Sequence, residues 1–598
     1  MFARRRLNVI AVAVGLMRML ALSRSRTFEK LRSANRNRGR VFFGALVFCT
    51  LAATGCDSPR PIVHSIDQED FSVSVSMPLV SEVADSKDLT LVVQPPRREV
   101  IPTPSGKLDV KRELVPTPPS DPPMVVSETP SAGTGSVGQP GSWEDWPAPQ
   151  AVLFITGNQH GYIEPCGCTG LENQKGGLAR RYTLYKQLAA RDWPIVALDA
   201  GNQVRRAGRQ SEVKFQAAAQ GLAEMKYAAV GFGPDDLLLG VGELIASTAA
   251  DNPVEGRFIS ANVVLIDPSL FAPTKVVESG GRRIGTTSVL DPAFFNAAQG
   301  ADIQVNDIDQ SLDVALSTLQ RDQADFKVLL FFGSEELAAK SVQKTAGFDL
   351  VVVAGGFGEP TYEPKQIEGS KTKMIVTGDK GMYTGLIGLY PDATIRYARV
   401  PLTHEFADAP EMRRLMASYQ NQLKSLGLDG LGLKPIAHPS GEKFVGTKTC
   451  GECHKTAYKI WENTPHALAT EHLVHPGERS DISRHFDPEC ISCHVTGWNA
   501  QNYYPYVSGY LSLDSSSHLT GNGCENCHGP GASHAAAERE DSGVTEEARD
   551  MLRVAMQLPL EIAKEKCMEC HDLDNSPDFH KEDAFDDYWA QVEHYGTD

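Results

Sequence analysis

The pattern of apolar positions changes character along the chain. From residue 151, apolar runs of strand length recur at 151–156, 195–199, 228–232, 258–265, 326–332, 350–354 and 373–377. Stretches with helical spacing separate many of them, at 178–190, 212–225, 308–322 and 335–346. Strands alternating with helices predict a layered α/β domain. A further helix over 409–426 and a Gly-rich loop close that domain by residue 436. After 437 the strand pattern fades into polar, loop-rich chain with short helical pieces. A segment so poor in apolar periodicity needs something other than side chains as its core.

Ahead of residue 150 the chain is a poor folding candidate. Between 91 and 150 lie 13 of the 37 prolines, and Gly, Ser and Thr fill much of 128–142. Such composition favours extended, solvated chain, so 56–149 is expected to be a disordered linker. The alternative is a small β module in 62–93, where the runs at Phe71 and Leu89 have strand character. Residues 1–55 have the layout of an export signal: Arg38 and Arg40 precede the apolar run 41–53, which ends in Thr54-Gly55-Cys56. The run is short for a membrane span. It resembles a bacterial lipobox, with Ala53 where that motif usually carries Leu. The resemblance implies lipidation of Cys56 and a membrane-anchored lipoprotein; ordinary cleavage or an uncleaved anchor are the alternatives. In each case the mature chain works in an oxidising, periplasmic or otherwise extracytoplasmic, compartment.

With 598 residues the chain is expected to be multidomain. Its 75 acidic against 58 basic residues give a net charge of −17, which argues against a nucleic-acid partner because phosphate binding needs a basic surface. Cysteine and histidine are unevenly placed. Eight of 12 Cys lie between Cys450 and Cys570, and 13 of 16 His lie at or after His438.

Those residues form four copies of Cys-x-x-Cys-His: Cys450/Cys453/His454, Cys490/Cys493/His494, Cys524/Cys527/His528 and Cys567/Cys570/His571. Two thiols at this spacing reach both vinyl groups of one haem from a single turn of backbone, and the following His meets the iron as proximal ligand. Zinc sites and disulfide frameworks also use Cys-x-x-Cys pairs, but neither needs a His after each one. Four covalent haems c are therefore expected. Candidates for the distal ligand are led by His466 and His534. His472, His475, His485, His518, His580 and His594 are equally well read as solvated side chains.

Residues 445–571 resemble the tetrahaem cytochrome c-554 family. The matching frame is Val445-Gly446, Cys450-x2-Cys453-His454, Trp461-x4-His466-Ala467, Cys493-His494-Val-Thr-Gly497, Gly523-Cys524-x2-Cys527-His528-Gly-Pro-Gly-x2-His534, and Cys567-x2-Cys570-His571-x4-Ser576-Pro577. The resemblance implies a small, mainly helical and irregular multihaem domain over 437–598, with most irons held by two His and one five-coordinate. The haem of Cys490/Cys493 is expected to be the five-coordinate one.

Residues 151–402 resemble secreted calcineurin-like phosphoesterases of the 5′-nucleotidase type. The shared frame is Thr156-x3-His160-Gly161, Gly176-Gly177-Leu-Ala-Arg180, Leu198-Asp-Ala-Gly201 and Gly347-Phe-Asp349. The resemblance implies a four-layer α/β domain over 150–436 with a dimetal site at the strand ends. The ligand positions have changed, however. The family's Asp-x-His reads Asn158-Gln159-His160, its Gly-Asp reads Gly201-Asn202, its Gly-Asn-His-Glu reads Gly231-Phe232-Gly233-Pro234, and its Gly-His-x-His reads Gly355-Gly356-Phe357-Gly358. Neutral amides bring no charge to hold two divalent cations, so the domain is expected to be catalytically degenerate. His160, Cys166 and Cys168 are candidates for an additional metal or a redox thiol pair, against the plainer reading of two small buried Cys.

The sequence thus predicts an exported multihaem electron carrier that works with redox partner proteins. The alternative is an enzyme whose middle domain keeps hydrolase activity, or thiol or metal redox activity, on a small-molecule ligand.

Overall fold

The computed structural model describes residues 142–165, 170–295, 302–356, 359–477, 480–539 and 541–596. The export segment with Cys56, the proline-rich tract up to residue 141, and the pair Cys166 and Cys168 lie outside the described residues.

The strands that build the middle of the chain are β1 (Ala151–Thr156), β2 (Ile195–Asp199), β3 (Ala229–Val230), β4 (Val263–Leu265), β5 (Thr274–Ser279), β6 (Arg282–Leu290) and β7 (Ile303–Val305). They continue with β8 (Phe326–Phe332), β9 (Leu350–Ala354), β10 (Lys365–Gln366), β11 (Lys373–Val376), β12 (Tyr383–Leu389) and β13 (Ile395–Pro401). One large sheet has the order β13-β12-β1-β2-β3 and the other β10-β11-β9-β8-β6-β5, while β4 and β7 form a separate antiparallel pair. The first sheet is parallel from β1 through β2 to the β3 edge and antiparallel at β12 and β13; the second is parallel through β6, β8, β9 and β11, with β5 and β10 as antiparallel edges. The hairpins β5/β6 and β12/β13 are not evident in the apolar pattern. Their strands mix charged residues and glycines into short apolar runs, as in Tyr383-Thr-Gly-Leu-Ile-Gly-Leu389.

Side-chain alternation sorts the layers. Val328, Leu330, Phe332, Leu350 and Val352 face the core shared with the first sheet. Leu329, Phe331, Val351 and Val353 face the other way, onto Leu312 and Leu316 of the helix Ile308–Arg321 and Ala338 and Val342 of Glu335–Lys344. Helices α1 (Leu178–Ala189), α2 (Arg209–Glu224) and, further along, Pro410–Gly430 cover the outer face of the first sheet. The domain is thus the four-layer α/β arrangement expected. It begins earlier than the linker expectation allowed, because Trp143 and Trp146 are buried and pack against Trp193. Three aromatic rings bury enough apolar surface to hold that stretch of backbone in place.

Beyond residue 436 the chain forms short helices and one two-stranded ribbon, Trp498–Asn499 with Tyr504–Pro505. The expectation that this part lacks an apolar core needs correcting. Phe444, Leu473, Ile491, Val495, Trp498, Tyr510 and Leu519 form a small buried cluster, drawn one or two at a time from short helices, the ribbon and the loops between them, so that no single element carries a period. Among the described residues no helix is long and apolar enough to cross a membrane.

Candidate functional site

Each Cys-x-x-Cys-His run sits on or at the end of a short helix: Thr447–Gly451, Pro488–His494, Cys524–His528 and Leu560–Cys567. One turn is what the motif requires. His454 N–H donates to Cys450 O at 2.9 Å, and His571 N–H to Cys567 O at 2.9 Å, so each His is folded back over its first Cys. The second, third and fourth motifs line one cavity of about 1360 Å³.

All four motif histidines are anchored through the same ring nitrogen. Nδ1 lies 2.9 Å from Gly596 O in His454, 2.6 Å from Ala469 O in His494, 2.7 Å from Met556 O in His528 and 3.0 Å from Ser576 Oγ in His571. In His454, His494 and His528 the partner is a carbonyl, so Nδ1 carries the proton and Nε2 is the nitrogen with a lone pair for a metal; in His571 the partner is a hydroxyl, which occupies Nδ1 in either tautomer. Metal-bound histidines are oriented by their second nitrogen in this way.

Three of these rings face a second imidazole. The ring centres of His454 and His534 are 6.2 Å apart, those of His466 and His571 6.0 Å, and those of His528 and His594 5.7 Å. A metal about 2 Å from each nitrogen, with each ring centre roughly 1.2 Å beyond, separates the centres by about 6.4 Å when all are collinear and by less when they are bent. The donor set and its spacing therefore fit iron held by two histidines. Burial pushes the His466 imidazole down to about 4, with His571 and His494 adding to the effect, so His466 is neutral and ready to ligate at neutral pH. Burial likewise lowers His534 and His528.

Both leading distal candidates thus stand opposite motif histidines. His534 faces the first motif although it follows the third closely in sequence. His594 was one of several undistinguished histidines in the sequence. Nothing in its context marks it, and only the path of the last residues brings it to His528.

The frame around the motifs is structural. Glu525, buried between Cys524 and Cys527, accepts backbone N–H bonds from Gly446 (2.7 Å), Gly531 (2.9 Å) and Val445 (3.0 Å). Thr496 is fully buried; its hydroxyl donates to Gly521 O and accepts from Gly523 N–H.

In the middle domain the residues that follow β1, β2, β3 and β11 converge at one end of the sheets. Asn202 Nδ2 donates to Asn158 Oδ1 at 2.9 Å and to Asp235 Oδ2 at 3.0 Å, and Asn158 Nδ2 donates to Asp379 Oδ1 at 2.9 Å. His160 sits between two carboxylates, Nε2 3.6 Å from Asp235 and Nδ1 3.5 Å from Asp379. Asn158, His160 and Asn202 all have positive φ, of 48°, 53° and 68°. Asn tolerates that region better than most residues. Amide donors here satisfy the carboxylates that cations would otherwise have to neutralise. Among the described residues no group of three or more His, Cys, Asp or Glu is arranged to hold a metal ion. The candidate set His160/Cys166/Cys168 has two members outside the described residues.

Comparison with known proteins agrees with both resemblances. The family model for cytochrome c554 and c-prime matches residues 449–529, which contain the first three motifs. Cytochrome c-554 of Nitrosomonas europaea is 31% identical over 143 residues, covering 21% of this chain and 57% of that protein. The 5′-nucleotidase of Mus musculus is 26% identical over 267 residues, covering 41% of this chain and 45% of that protein. A solved 5′-nucleotidase precursor from Thermus thermophilus aligns at 19% identity and a TM-score of 0.39, over 56% of this chain and 80% of that one. The chain therefore spans 57% and 45% of the lengths of these two curated relatives. Its C-terminal part is similar to c-type cytochromes and its middle part to 5′-nucleotidases.

Proposed function

We propose that this protein is an exported electron carrier that holds four haems c, attached through Cys450/Cys453, Cys490/Cys493, Cys524/Cys527 and Cys567/Cys570. The observation that carries the reading is the set of three imidazole pairs with ring centres 5.7–6.2 Å apart, each pair containing one motif histidine. When bound, haem supplies a one-electron iron couple. The chain's own part is to hold each iron through Nε2 of His454, His494, His528 and His571, with His534, His594 and His466 as second ligands to the first, third and fourth. The Nδ1 bonds lock the ring orientations, and a shared cavity keeps the last three sites close enough for exchange among them.

In this reading the 5′-nucleotidase-like domain is a scaffold, because amides occupy the places of charged metal ligands. Lipidation at Cys56 would tether the protein to a membrane, where it would meet redox partner proteins. Pyridine haemochrome quantitation on the exported full-length chain tests the central claim. Four haems per chain, reducible by dithionite and reoxidised by an external acceptor, are expected. Any other haem count, or haems that do not cycle, would overturn it.

A further inference from the structure

The helix that carries the second motif is fastened to the middle domain by charge. Arg484, just ahead of it, donates to Glu164 Oε2 through Nη2 at 2.7 Å and Nε at 3.1 Å. Asp487, its buried N-cap, accepts from Gln210 Nε2 at 2.7 Å and Gln420 Nε2 at 3.0 Å. Glu489, adjacent to Cys490, accepts from Lys214 Nζ at 2.6 Å and lies 3.5 Å from Arg206 Nη2.

Lys214 is the unusual member. It belongs to α2, its side chain is only 6% exposed, and the buried positions around it on that helix are Val213, Phe215, Ala217 and Ala218. Burying an ammonium costs several kcal/mol unless it is paired, and a buried ion pair often adds little net stability. A charge placed there at such a cost calls for another effect. Lys214, Arg206, Glu489, Cys490 and His494 all line the same cavity. The Arg206 guanidinium is held in place by stacking 3.6 Å over the Tyr503 ring.

We propose that Lys214, seconded by Arg206, is a tuning residue through which the middle domain sets the reduction potential of the haem at Cys490/Cys493. The inference rests on the haem-carrying reading above. Oxidation of the iron adds one positive charge to the site. A fixed cation nearby opposes that step and favours the reduced form, while the Glu489 carboxylate acts in the opposite sense. Lys214 offsets Glu489 and holds the potential up. The middle domain then has a role without any catalysis of its own.

The test uses full-length holoprotein in a spectroelectrochemical titration. In Lys214→Met, one of the four midpoints is expected to move to lower potential while the other three stay. In Glu489→Gln the same midpoint moves to higher potential, and the double variant returns toward wild type. Unchanged midpoints in both single variants would overturn the proposal. So would a common shift of all four, which is the mark of loosened structure. Because Glu489→Gln removes a charge without deleting a buried side chain, it keeps the test decisive should Lys214→Met fold poorly. Haemochrome quantitation on the same samples separates the two readings. Fewer than four haems in wild type would remove the parent reading, whereas four haems with unmoved potentials would remove only this one.

Discussion

The imidazoles of His528 and His594 face each other with ring centres 5.7 Å apart, one in the third motif and the other near the end of the chain. Nδ1 of His594 lies 2.7 Å from Val592 O and that of His528 2.7 Å from Met556 O, so on each ring Nε2 is the nitrogen that carries the lone pair. Thioether attachment needs only the cysteines. His594→Ala should therefore keep four covalent haems and convert one from two histidine ligands to one. Electron paramagnetic resonance should show one haem equivalent of low-spin signal lost, with carbon monoxide binding gained to match. His475→Ala, at a side chain 74% exposed and paired with Glu471, should leave both readouts unchanged.

Asp574, in the loop after the fourth motif, ties that loop to the middle domain. It accepts the Tyr162 hydroxyl at 2.7 Å and a contact from Lys380, both close in sequence to the His160/Asp379 cluster. Asp574→Asn leaves Lys380 unpaired and should cost about 1–3 kcal/mol, read as a lower Tm. Burial alone would raise the Asp574 carboxyl, but Lys380 and Tyr162 outweigh it and hold the group below its usual 3.8. A depressed carboxyl stabilises the fold above the unfolded-state value and stops doing so as pH falls through the folded one. The Tm gap between wild type and variant should stay level near neutrality and close below about pH 4.

Asn202→Asp should damage the middle domain in buffer free of divalent cations. Asn202 is buried, and its amide donates to the acceptors on Asn158 and Asp235. A carboxylate there meets two acceptors with no proton to offer, at a cost of about 1–3 kcal/mol. Chemical denaturation monitored by tryptophan fluorescence checks this. A variant as stable as wild type would mean that the amide is not the keystone of the cluster.

Gly523 immediately precedes Cys524, and a Cβ there would run into the Oγ1 atoms of Thr447 and Thr496. Its φ of −84° suits any residue, so the demand is purely one of space. Gly523→Ala should cost about 1–3 kcal/mol of overpacking and lower haem occupancy at Cys524/Cys527. Peptide mass mapping of haem-bearing fragments would show the deficit at that motif alone.

Local covalent spacing made much of this protein readable in one dimension. The four Cys-x-x-Cys-His motifs and the alternation of strands with helices depend on residues a few positions apart, which sequence records directly. The neutral amides of Asn158 and Asn202, where the resemblance to 5′-nucleotidases implies Asp, were equally plain. What the two amides do instead was not, because their partners Asp235 and Asp379 come from other strand ends. The pairing of imidazoles across the C-terminal part was also hidden. His534 follows His528 yet faces His454, and His594 has no framing residues at all. Such matches are set by how the chain packs across a cavity, and the separation of two imidazoles in space has no counterpart in their separation along the sequence. For the same reason Lys214 reads as an ordinary helix residue until the fold brings Glu489 to it.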